Sequence, residues 1–117
     1  MLGRLLRRFA ESDEDRLANE VRAWADSMPE TTRISDVRER ARVRLAGVVR
    51  RITLHPGPEG AESLSAVLSD GTGEIVARWT GRGEIGGLRL GSRVLLEGVA
   101  ARERGRLRIV NPSYEFA

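Results

Sequence analysis

Seven arginines are the residues whose type and spacing point to chemistry: Arg42, Arg44, Arg78, Arg102, Arg104, Arg106 and Arg108. Arg42 and Arg44 alternate with Val43 and Leu45, so in an extended strand they face away from a core. Arg78 has the same outward parity in IVARW, and the last four occupy every second position, with only Glu103 as a carboxylate among them. A guanidinium binds phosphate oxygens through a two-pronged fork and stacks on bases. Such groups along a groove follow a nucleic-acid backbone and tolerate any base. Alternating arginines also serve simply to solvate a strand exterior. All 20 basic residues are arginine, which GC-rich codon usage, as in a GC-rich bacterium, also produces.

Other chemistry finds little support. The 117 residues include no cysteine and one histidine, which removes disulfides, thiolate sites and multi-histidine metal sites. No carboxylate spacing suggests a cation site. His55, beside Pro56, reads as a loop residue without a partner, and Asp70 as a turn former. No nucleophile–base pair is present, and no phosphate-cradling loop followed by lysine. The expectation is a binding module rather than an enzyme, with no metal and no cofactor. Net charge is +3 with a pI near 10.8, which permits a nucleic-acid partner. The excess is local: residues 1–35 hold six arginines against seven carboxylates, residues 36–117 fourteen against ten.

The elements that must position these arginines are mostly strands. LSAVLSDGTGEIVARWT, residues 64–80, places two alternating runs around Asp70-Gly71, a strong hairpin signal because Gly accepts the positive φ of the turn. Leu64, Ala66, Leu68, Ile75, Ala77 and Trp79 fall on an inner face; Ser65, Val67, Val76, Arg78 and Thr80 point outward. ARVRLAGVVRRITL predicts a strand from about Arg40 to Leu54, with a bulge or bend at Gly47. Residues 55–60 read as an exposed loop, and the five glycines within 80–91 disfavour a long helix. Arg93–Arg102 is a strand bent at Gly98, Glu103-Arg104-Gly105 a turn, and Arg106–Val110 a last strand closed by Asn111-Pro112. The predicted core is Val43, Leu45, Val49, Leu68, Ile75, Ala77, Val94, Leu96, Leu107 and Ile109.

The N-terminal third has a different texture. Leu2, Leu5, Leu6 and Phe9 lie opposite Arg4, Arg7 and Arg8, giving a short amphipathic turn. Ser12 looks like an N-cap, and Leu17, Val21, Trp24 and Met28 form a helical stripe ended by Pro29. Trp24 is the expected anchor of that helix. Residues 1–33 therefore read as a helical extension and 34–117 as the principal domain. No apolar run approaches the roughly 20 residues of a membrane span, so a cytoplasmic location is expected.

Five strands with mid-strand glycines suggest a small closed barrel. Over residues 34–115 the sequence resembles the tRNA-anticodon-like OB-fold family. The resemblance rests on Ile34-Ser35-Asp36-Val37 before RVRLAGVV, on LSDGTGEIVARW and on GSRVLLEG. The ending, Ile109-Val110-Asn111-Pro112-Ser113-Tyr114-Glu115, is similar to the close of the wedge domain in bacterial branch-migration helicases. The resemblance implies an all-β, five-stranded OB-fold barrel after an N-terminal α-helix. It also implies single-stranded DNA or RNA as partner, held on the outer face of strands two and three and the adjoining loops. Such relatives often carry stacking aromatics at the end of the third strand, whereas here Trp79 faces inward and Thr80 follows. Stacking contributes about 1–3 kcal/mol per base, so binding without it is expected to be weak and mainly electrostatic. The alternative is a protein-interaction module that docks a partner through the barrel or the N-terminal helix.

Overall fold

The structure, a computed structural model, describes the backbone of residues 2–58 and 60–117 and the side chains from residue 13 onward, Glu59 excepted. One helix, α1 (Leu2–Ser27), precedes six strands: β1 (Arg42–His55), β2 (Ser63–Ser69), β3 (Glu74–Thr80), β4 (Arg93–Glu103), β5 (Arg106–Val110) and β6 (Ser113–Phe116). The helix starts at Leu2, eleven residues before the expected first helical residue Asp13, so Ser12 lies within it rather than at its N-cap. Leucine, arginine, alanine and glutamate are strong helix formers, and they carry the backbone through Ser12. The side chains of the Leu2, Leu5, Leu6 and Phe9 stripe, with Arg4, Arg7 and Arg8, lie outside the described residues. Among the described residues no helix is long and apolar enough to cross a membrane.

The strands close into a ring. Neighbours run β1-β2-β3-β5-β4, and β4 returns to β1. Closure depends on the length of β1: residues 42–48 pair with β4 and residues 48–55 pair with β2. The β3–β5 pairing is parallel, and the other barrel pairings are antiparallel. A sixth strand was not expected. Asn111 adopts a left-handed φ of 49° and turns the chain back, so that β6 pairs with Val94–Glu97 of β4.

All ten predicted core residues are buried in one cluster, joined by Leu64, Ala66 and Trp79 of the inward parity. Ile34, Val37, Ile85 and Ala100 join them from outside the predicted set. Gly47 permits close approach rather than forming the bulge. A Cβ there would lie 3.0 Å from Leu68 Cβ. Asp70 organises its turn as expected and also reaches further. One carboxylate oxygen accepts from the Thr72 and Gly73 amides and the Thr72 hydroxyl, and the other accepts from the Ile34 amide at 2.8 Å. The turn thereby pins the 3₁₀ segment Ile34–Asp36 that leads into the barrel.

The helix packs through a separate, smaller cluster: Ala25 against Ala46 and Leu95, with Trp24 and Met28 beside them and Arg93 over the Trp24 ring at 5.0 Å. Leu17, expected in the contact stripe, remains 61% exposed. Because no α1 side chain among the described residues enters the main core, we propose that residues 34–117 fold without residues 1–33. Deleting residues 1–30 should leave a cooperative melt and lower stability by about 2 kcal/mol, the value of the small cluster's apolar contact. Loss of cooperativity on truncation would assign the helix to the barrel domain.

Candidate nucleic-acid interface

A groove runs across the outer face of β1, β2 and β3, and the β4–β5 hairpin stands over it. The hairpin turns at Arg104-Gly105, both with positive φ (51° and 79°), as a two-residue turn matched to strand twist requires. This geometry projects Arg104 at the tip, flanked by Arg102 and Arg106. The hairpin tip divides the face into two basins that share Arg51, Val67, Val76, Arg106 and Leu107. The larger, about 490 Å³, adds Arg50 and Arg102 beside Glu74. The smaller, about 290 Å³, adds Thr53, His55, Ser65, Arg78, Arg104 and Arg108 beside Glu103.

Five of the seven expected arginines therefore meet here. Arg78 is half-buried and donates to the Ser63 hydroxyl at 3.0 Å, which fixes its fork. Arg108 pairs with Glu103 across the hairpin, and Arg102 donates to the Gly105 carbonyl at 3.4 Å. Arg104 and Arg106 are exposed and have no ion pair among the described residues. The structure does not bring Arg42 and Arg44 to this face. They lie on the β1–β4 wall, both facing Glu97, at 3.5 Å and 4.0 Å respectively.

Sequence reasoning missed Arg51, which lines both basins. The register slips between Val49 and Arg51, so Arg50 is an extra residue. Side-chain parity inverts at such a bulge. Strict alternation from buried Val49 would point Arg51, Thr53 and His55 inward, but the bulge turns them outward opposite Val67, Ser65 and Ser63. The signal was present in Arg50-Arg51, because two consecutive arginines in a half-buried strand cannot both face solvent without a bulge. His55 likewise ends β1 instead of starting a loop, and its Nε2 lies 2.9 Å from the Ser65 hydroxyl.

Trp79 is 3% exposed, donates from Nε1 to the Pro112 carbonyl at 3.0 Å and meets Tyr114 edge-on. It is a core residue, as its parity indicates. No phenylalanine, tyrosine or tryptophan lines either basin among the described residues; the His55 imidazole is the one ring there. No cluster of three or more histidine or carboxylate groups able to hold a metal ion occurs among them.

No protein-family model and no curated protein matches the chain. Among solved structures it is similar to the OB domain of Ta0387 from Thermoplasma acidophilum, solved by solution NMR. That match has a TM-score of 0.58 and 18% identity, and covers 74% of this chain and 86% of that one. It is also similar to a chain from a replication protein A heterotrimer bound to ssDNA, with a TM-score of 0.51, 16% identity, and coverage of 78% and 69%. Likeness at such identity speaks to the fold alone. Together with the ring order and the parallel β3–β5 pairing, it establishes that the chain is an OB-fold barrel preceded by an α-helix.

Proposed function

We propose that the protein is a binding module for single-stranded nucleic acid, DNA or RNA, acting in the cytoplasm through arginine–phosphate contacts. The observation that carries this reading is the convergence of Arg51, Arg78, Arg102, Arg104, Arg106 and Arg108 on one groove. That groove occupies the face on which OB barrels hold oligonucleotides. The structural neighbour bound to ssDNA supports the same reading. Because the basins offer arginine, valine and a single imidazole but no phenylalanine, tyrosine or tryptophan, the interaction lacks a large stacking platform and is weak and indifferent to sequence. The lead-in at Ile34–Val37 and the SDGTG turn, joined through Asp70, support placing the chain near the tRNA-anticodon-like OB family and the helicase wedge domains.

Fluorescence anisotropy with oligonucleotides over a range of salt tests this. About four phosphate contacts on a single strand give a log–log slope near −3. Arg106→Ala should shallow the slope by about 0.7 and weaken all sequences alike, since phosphate contacts carry no base information. Arg42→Ala, on the β1–β4 wall and outside both basins, should change it least. No binding at low salt by the folded protein would discard the reading. It would favour the second one, a protein partner docked through α1, whose supporting observation is the exposed Leu17 beside a groove formed with the Asp70–Gly73 turn.

A further inference from the structure

The two basins differ in kind. The larger holds exposed guanidinium groups and a carboxylate, Glu74. The smaller adds donors that neighbouring residues already orient. Arg78 is half-buried and oriented by Ser63, and the half-buried Ser65 hydroxyl is 2.9 Å from His55 Nε2. The Thr53 hydroxyl and Arg104 complete the ring, and Arg108 holds the one carboxylate there, Glu103. We propose that this smaller basin seats a phosphate monoester, which rests on the nucleic-acid reading for the groove as a whole.

The reasoning is one of charge and oxygen count. A phosphate linking two nucleotides carries one negative charge and two free oxygens. A monoester carries a charge of roughly −1.5 to −2 at neutral pH and three acceptor oxygens. The Thr53 hydroxyl, the mutually hydrogen-bonded Ser65–His55 pair and the Arg78, Arg104 and Arg106 guanidinium groups offer more donors than the two free oxygens of one diester can use, and they match a monoester. Donors held in place before binding cost less ordering than free surface arginines. A volume of about 290 Å³ lies at the small end of ligand-site sizes. The monoester is supplied either by a phosphorylated strand end or by a free nucleotide.

The test compares dodecamers of one sequence bearing a 5′-phosphate, a 3′-phosphate or hydroxyls only, by anisotropy of an internal label at fixed salt. Unlabelled cytidine and adenosine monophosphates serve as competitors. One phosphorylated end should bind roughly five- to tenfold tighter than the hydroxyl strand, the return on one or two charge-assisted hydrogen bonds. The preference should vanish in Ser65→Ala and in Arg78→Gln, each checked for an unchanged melt, and persist in Arg102→Gln. Competition by the free monophosphates would make them a source of the ligand, and its absence would leave the strand end as the source. Equal affinity for phosphate and hydroxyl ends would overturn the inference and leave the strand reading standing. A preference that survives both basin substitutions would overturn the assigned location. No binding of any probe would overturn both.

Discussion

Leu68→Ala is expected to lower the unfolding free energy by about 3–5 kcal/mol, toward the upper end of buried leucine truncations. Leu68 is 0% exposed and pairs with Val49 on β1 and Ile75 on β3. Gly47 of the adjacent strand β1 packs against it and has no side chain to move into the vacated space. The ring of hydrogen-bonded strands resists collapse, so the cavity persists. Domain stabilities lie near 5–15 kcal/mol, and a loss of this size moves the denaturation midpoint far. A change below about 1 kcal/mol would mean that the inner and outer strand faces had been exchanged.

The second large effect concerns binding. Arg51→Glu combined with Arg106→Glu should reduce affinity for a single strand at low salt by about 100-fold, or roughly 2.7 kcal/mol. These are the two arginines common to both basins, and each reversal replaces a phosphate contact with repulsion. Both are exposed, so folding should be unaffected beyond about 0.5 kcal/mol. Arg42→Glu with Arg44→Glu changes net charge by the same amount on the β1–β4 wall, outside both basins. If binding depended only on overall charge, the two pairs would weaken it equally. The groove account expects the second pair to cost only a fewfold.

Periodicity made the inner face of the barrel legible, because a half-buried strand must alternate. Val43, Leu45, Leu68, Ile75 and Trp79 point inward for that reason alone, and the Asp70-Gly71 turn follows from backbone chemistry. What could not be read from alternation was its interruption. The extra residue at Arg50 reverses the parity of the rest of β1, bringing Arg51, Thr53 and His55 onto the groove. Arg42 and Arg44 precede the bulge and remain on the other wall. The outward parity that Arg42 and Arg44 share with Arg78 therefore said nothing about which side of a closed barrel each occupies. Closure also explains the missed β6: Ser113–Phe116 alternates polar and aromatic residues, but four residues after a proline are too few to signal a strand on their own. It forms because β4 presents an unpaired edge there once Asn111 reverses the chain. Ser12 failed as a cap because the residues before it already favour helix.

The most direct test of the central claim is a heteronuclear NMR titration of the isotope-labelled protein with a short single-stranded oligonucleotide. The account predicts shifts at Arg51, Thr53, Ser65, Val67, Val76, Arg78 and the Arg102–Arg108 hairpin. The amides of Arg42, Arg44, Glu97 and Val99 should stay in place. Shifts confined to the β1–β4 wall or to α1, or no shifts at saturating oligonucleotide, would contradict it.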